Sequence, residues 1–150
     1  MGLDMYFYGR KFLWKAEDQP KQAAIAAMFP EIRGAEINKV EAEFKYWRKA
    51  NQIHHFFVTY AQDGVDECQE TEIDPALLYQ LRDTCAAVLA SPDQASVLLP
   101  STGGFFFGNT SYDEWYFDQV KETQQWLNNF LLKETFEVLK DWSFYYRSSW

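Results

Sequence analysis

The sequence predicts an α+β domain in which a mostly antiparallel sheet packs against three main helices. Residues 38–46 alternate strictly, with Asn38, Val40, Ala42, Phe44 and Tyr46 on one side and Lys39, Glu41, Glu43 and Lys45 on the other. That is the pattern of a half-buried antiparallel strand. Three later stretches repeat apolar residues at helical spacing. Strands and helices mix without the strand–helix–strand rhythm of a parallel sheet. The 150 residues suit one domain, and 19% of them are aromatic, enough bulk to fill a core and to exclude a disordered chain.

In chain order, residues 3–9 are short and aromatic and read as a first strand. Residues 14–35 carry the least pattern; within them Ala23-Ala24-Ile25-Ala26-Ala27-Met28 favours a short helix stopped by Pro30 and Gly34. Over 47–62, Trp47, Ala50, His54, Phe57, Val58 and Ala61 share one helix face, and Arg48, Asn51, Gln52, His55 and Thr59 form the opposite, polar one. A loop through Asp63-Gly64 leads to a short strand at 68–73. Asp74-Pro75 supplies an N-cap carboxylate and a first-turn proline, opening a helix to residue 90 that buries Leu77, Leu78, Leu81, Cys85, Val88 and Leu89.

Val97-Leu98-Leu99 and Phe105-Phe106-Phe107 read as two short strands joined by a turn at Pro100-Ser101-Thr102-Gly103-Gly104. Ser111-Tyr112-Asp113-Glu114 has the form of a capping box and opens the longest helix, to residue 132. Its expected buried face is Tyr112, Trp115, Tyr116, Thr123, Trp126, Leu127 and Phe130; Glu114, Asp118, Lys121 and Gln125 point outward. Residues 142–147 are β-rich and return as a closing strand.

With 22 acidic against 14 basic residues, the net charge of −8 repels phosphate backbones and anionic lipid surfaces, and it attracts basic partners. Direct nucleic-acid binding is therefore disfavoured. No run approaches the ~18 apolar residues of a spanning helix. The first residues show neither a signal peptide nor, with Tyr6 in place of Ser or Thr, a myristoylation pattern. Two cysteines are too few for a disulfide framework. Together these place the chain in the cytoplasm, and Asn109-Thr110-Ser111 is then no glycosylation site.

Gly2-Leu3-Asp4-Met5-Tyr6, Tyr46-Trp47-Arg48-Lys49-Ala50-Asn51-Gln52-Ile53-His54, Gly104-Phe105-Phe106-Phe107-Gly108 and Tyr112-Asp113-Glu114-Trp115-Tyr116 occur in that order. On these segments the chain resembles a family of small proteins encoded by tailed bacteriophages and prophages. The resemblance extends to Tyr145-Tyr146-Arg147-Ser148-Ser149-Trp150 and leaves out 14–35, which it implies to be an insertion. It implies a context, expression inside an infected or lysogenic bacterial cell, and brings no catalytic residue with it.

Chemistry-bearing combinations are few. His54, His55, Cys68 and Cys85 lack the tight spacing of zinc ligands, and Cys85 sits mid-stripe among apolar residues, so no metal is expected. A nucleophile pair of Cys68 with His54 or His55 would need a lowered thiol pKa, which Asp66, Glu67 and Glu70 oppose. Thr102-Gly103-Gly104 lacks the Gly-Lys-Ser/Thr continuation of a phosphate loop and reads first as a tight turn, with hydroxyls and amides suited to a small polar ligand. The carboxylates Asp113, Glu114, Asp118 and Glu122, interrupted by Lys121, are a thin imitation of a nucleic-acid backbone.

The most informative segment is 47–55. Arg48, Asn51 and His55 form a ridge that a solvated helix face explains, and His54 among aromatic residues fits a satisfied core histidine. The sharper expectation joins Arg48, Asn51, His54 and His55 to Ser101, Thr102, Gly103 and Gly104 and to Tyr112 and Asp113 in one concavity, with Arg48 and Asp113 as its ion pair. Polar groups within dense aromatic sequence seek one another, because each one buried unpaired costs about 1–3 kcal/mol. The expected function is that of a phage accessory protein, without cofactor, that binds a host protein or a small polar host metabolite, countering a host defence being one such purpose. The alternative is an enzyme acting on a nucleotide or other phosphorylated molecule, with Arg48 as phosphate anchor and His54 or His55 as acid–base group. A minor virion component is the third class.

Overall fold

A computed structural model describes residues 2–150; Met1 lies outside them. Strand β1 (Asp4–Phe12) is followed by a 3₁₀ turn and helix α1 (Gln19–Met28). Strand β2 (Lys39–Arg48) leads into α2 (Asn51–Ala61), the short β3 (Thr71–Glu72) and α3 (Pro75–Ala90). A one-turn α4 (Ala95–Leu98), the long α5 (Glu114–Phe130), α6 (Lys133–Val138) and β4 (Ser143–Ser149) complete the chain. The strands form one sheet in the order β2-β1-β4-β3, every pair antiparallel. The α+β architecture is therefore as expected. Among the described residues no helix is long and apolar enough to cross a membrane.

Strand alternation decides which side chains reach the core. Met5 and Phe7 of β1, Trp47 of β2, and Phe144 and Tyr146 of β4 all point to the helical side and are buried. Phe7 packs edge-on against Trp126 and Phe130 of α5 at 5.4 and 5.7 Å between centroids. Tyr146 stacks on Phe57 of α2 at 4.2 Å. The Trp47 indole donates to Thr123 Oγ1 at 2.9 Å, pinning β2 to α5 through a buried hydrogen bond. From α3, Leu78, Leu81, Cys85 and Val88 close the core, and burial pushes the Cys85 thiol up to about 12. Segment 14–35 stands outside this packing: α1 buries none of its residues.

Several local expectations are corrected. Strand β2 runs on through Arg48, and Lys49, at φ 55°, turns the chain into α2. Trp47 and Arg48 are thus strand neighbours facing opposite ways, not members of a helix face. Asn51 and Gln52 are buried, so that part of the supposed polar face is not solvated. Strand 68–73 shrinks to Thr71–Glu72, Cys68 occupying the left-handed region at φ 56°. Residues 97–99 belong to the one-turn α4 and its end, and 105–107 form a turn. Three apolar residues carry too little periodicity to separate a strand from a helical turn. The capping carboxylate of α5 is Asp113, which accepts from the Tyr116 amide at 3.1 Å, while the Ser111 amide donates to Asn109 Oδ1. Tyr112 and Trp115 consequently lie outward, 39% and 55% exposed.

Candidate functional site

Asn51 opens α2 facing the loop at 101–109. Its Nδ2 donates to the carbonyls of Phe107 (3.2 Å) and Asn109 (2.9 Å), and its Oδ1 accepts from the Thr102 amide at 3.1 Å. One amide side chain thereby does for this loop what strand pairing does elsewhere. Two tyrosines from the α5 side add to it: Tyr112 accepts from the Ser101 amide at 3.1 Å, and Tyr116 donates to the Leu99 carbonyl at 2.7 Å. Asp113 ties in Asn109 through Nδ2 at 2.8 Å. Gly104 lets the turn close, since a Cβ there would lie 2.6 Å from the Phe107 ring.

His54, three residues beyond Asn51 along α2, is buried. Its Nδ1 meets the Tyr146 hydroxyl at 2.7 Å and its Nε2 meets Asp66 Oδ2 at 2.9 Å, while Phe107 abuts the ring edge-on at 5.1 Å. Burial outweighs the neighbouring carboxylate and holds the imidazole below its ordinary range, so the ring is neutral at pH 7. A neutral imidazole facing a carboxylate keeps its proton on Nε2, leaving Nδ1 to accept from Tyr146. Burial also raises the Tyr146 phenol well above its usual value. Trp150 donates its indole N–H to the other oxygen of Asp66 at 3.1 Å.

Between α2, this loop, Asp66 and Trp150 opens a cleft of about 410 Å³, within the roughly 300–1,000 Å³ usual for small-molecule sites. His55, Thr59, Thr102 and Asp66 give it polar groups; Phe105, Phe107 and Trp150 give it aromatic walls. A larger depression of about 680 Å³ lies at Phe12, Trp14, Lys15 and Lys39. Gln19, Glu36 and Asn38 line it too, but none of the residues singled out in the sequence as site candidates does, and its Gln22 is already occupied by the carbonyls of Leu13 and Ile37 at 2.6 and 2.8 Å.

Of the residues singled out in the sequence, His54, His55, Thr102, Gly103 and Gly104 meet at the cleft. Asn51, Ser101, Tyr112 and Asp113 build its frame. Arg48 belongs to neither: it is exposed on β2, 4.0 Å from Asp4, and the expected ion pair with Asp113 is not formed. Strand parity accounts for this, because Arg48 faces away from buried Trp47. Sequence reasoning missed Asp66, Phe105, Phe107 and Trp150 as site residues. For Trp150 a signal existed, as it follows Phe144, Tyr146 and Ser148 at a spacing of two; for Asp66, in a loop, there was none. Among the described residues no set of three or more His, Cys, Asp or Glu side chains could hold a metal ion.

No protein-family model, curated protein or solved structure matches this chain.

Proposed function

We propose that the protein is a bacteriophage accessory protein of the host cytoplasm that acts by binding, and that its cleft takes a small polar molecule of the host or a side chain presented by a host protein. The observation that carries this reading is the way the reactive groups are spent. Both nitrogens of His54 and both polar atoms of Asn51 serve to hold the cleft's own walls. What remains open is a preformed concavity with aromatic sides and a few polar anchors, the usual make-up of a ligand pocket. The phage context rests on the sequence resemblance. The acidic balance of 22 against 14 charges argues against nucleic acid as the partner.

An enzyme acting on a phosphorylated small molecule draws less support. Arg48, its phosphate anchor, sits beside Asp4, and His54 has no free nitrogen, which leaves His55 as the one accessible imidazole. To test binding, the protein is incubated with deproteinised bacterial extract, reisolated and denatured, and the released molecules are identified by mass spectrometry. Gly103→Trp is the control, because Gly103 lines the cleft and a Cβ added there meets no atom within 4 Å. A compound retained by the natural protein and lost in Gly103→Trp is the expected result. Equal recovery from both, or recovery of nothing in repeated extracts, overturns the reading.

A further inference from the structure

Taking the cleft as a binding site, we propose that the group it receives is an organic cation, an alkylammonium or a guanidinium. The first ground is charge. Asp66 is the one formally charged side chain among the residues lining the cleft; no lysine or arginine reaches it. Its carboxylate is not paired off either. The two groups that hold it, His54 Nε2 and Trp150 Nε1, are neutral N–H donors, and a carboxylate has about four acceptor positions, so two stay open. A quarter of the Asp66 side chain is exposed, 24% by area, and the carboxylate thus offers a fixed negative charge to whatever enters.

The second ground is the walls. Trp150 is 47% exposed and Phe105 is 87% exposed, while Phe107 meets Trp150 at 5.9 Å with the rings inclined at 70°. Aromatic faces present the negative part of their quadrupole, and they attract cations most when a carboxylate stands nearby and water is excluded. Phe105 touches Phe106 edge-on, with 4.7 Å between centroids, but leaves most of its surface open at the rim of the cleft, where a ligand can reach it. An anion would meet the exposed backbone at Gly103 and Gly104, but it would also face Asp66 with no cation to offset it. The overall charge of −8 adds to the same bias by steering cations toward the protein.

The test follows the Trp150 indole ¹⁵N–¹H signal by NMR, assigned with Trp150→Phe. The protein is titrated with choline, with its neutral isostere 3,3-dimethylbutanol, with agmatine, and with inorganic phosphate. Choline or agmatine is expected to shift the Trp150 signal saturably, at least tenfold more tightly than the neutral isostere. Asp66→Asn, which keeps an acceptor for His54, should weaken the cation at least tenfold. Phe105→Ala, which disturbs no buried contact, should weaken it several-fold even if Asp66→Asn folds poorly. A Gly-Arg-Gly peptide run beside agmatine tells a protein side chain from a free amine: tighter binding of either supports the cation and names its source. Silence with every cation, or no preference over the neutral isostere, overturns the proposal. A Trp150 shift with phosphate alone also overturns it while leaving ligand binding in the cleft standing; that reading falls only with the extract experiment.

Discussion

With Nδ1 on the Tyr146 hydroxyl and Nε2 on Asp66, the His54 imidazole accommodates a second ring proton only if the Tyr146 hydroxyl turns round. Its folded pKa is accordingly depressed, chiefly by burial, below the ordinary value of about 6.5. In the window under pH 6.5 the unfolded chain therefore binds more protons than the folded one, so stability falls as pH falls, until the folded ring protonates too. Above about pH 6.5 this group contributes no slope. Urea unfolding from pH 8 downward should show a level midpoint and then a decline beginning near pH 6.5, and His54→Gln should remove that limb while lowering stability at every pH. A natural-protein curve that stays level to about pH 5 contradicts the assignment. At this scale the sequence was partly readable. Asn51 and His54 stood out as polar side chains inside aromatic sequence, and they do find partners. Their partners were hidden, because Asp66 and the Phe107 carbonyl come from loops, where no periodicity fixes direction.

The long elements were legible because each repeats its pattern over several turns or pleats. The Asp74-Pro75 helix start recurs in α3, where Asp74 accepts from the Ala76 amide at 2.8 Å. The alternation at 38–46 holds in β2 only as far as Phe44. There a register shift against β1 reverses it, so Tyr46 faces away from the core and Lys45 and Trp47 lie on the core side. The stretch 97–109 was not, since its shape is set by side chains of α2 and α5 rather than by its own residues. Gly103 and Gly104 separate the two influences. A methyl group at Gly104 lands on the Phe107 ring and forces the turn open, whereas one at Gly103 touches nothing. Gly104→Ala should therefore lower unfolding stability by about 1–3 kcal/mol, and Gly103→Ala should stay within about 0.5 kcal/mol of the natural protein, as read from paired denaturation curves. Similar losses for both would show that the loop is not built around Phe107.

Helices cover one side of the sheet and leave the other to a polar cluster. There Arg10 binds Glu41 at 2.9 Å and Glu70 at 3.0 Å, Tyr8 donates to Glu70, and the guanidinium lies over the Tyr145 ring at 4.4 Å. This cluster ties the chain before β3 to the middle of the sheet, a job that a two-residue strand cannot do by itself. Arg10 and Tyr8 hold the Glu70 carboxyl below its ordinary range, so its contribution is complete above about pH 4.5 and fades as the pH falls further. Arg10→Met should cost about 1–2 kcal/mol at neutral pH and flatten the acid limb below pH 4.5, leaving the His54 limb unchanged; an unaltered acid limb would refute the role given to Glu70. The walls of the cleft come from α2, from the loops around Asp66 and Gly103, and from Trp150, segments far apart between residues 54 and 150. A chain synthesised only as far as the residues before Trp150 has no complete cleft, so binding there requires the whole stretch from His54 to Trp150 to be folded together. On the proposed binding reading, any ligand held there would favour the folded state by mass action and so slow proteolysis of the chain.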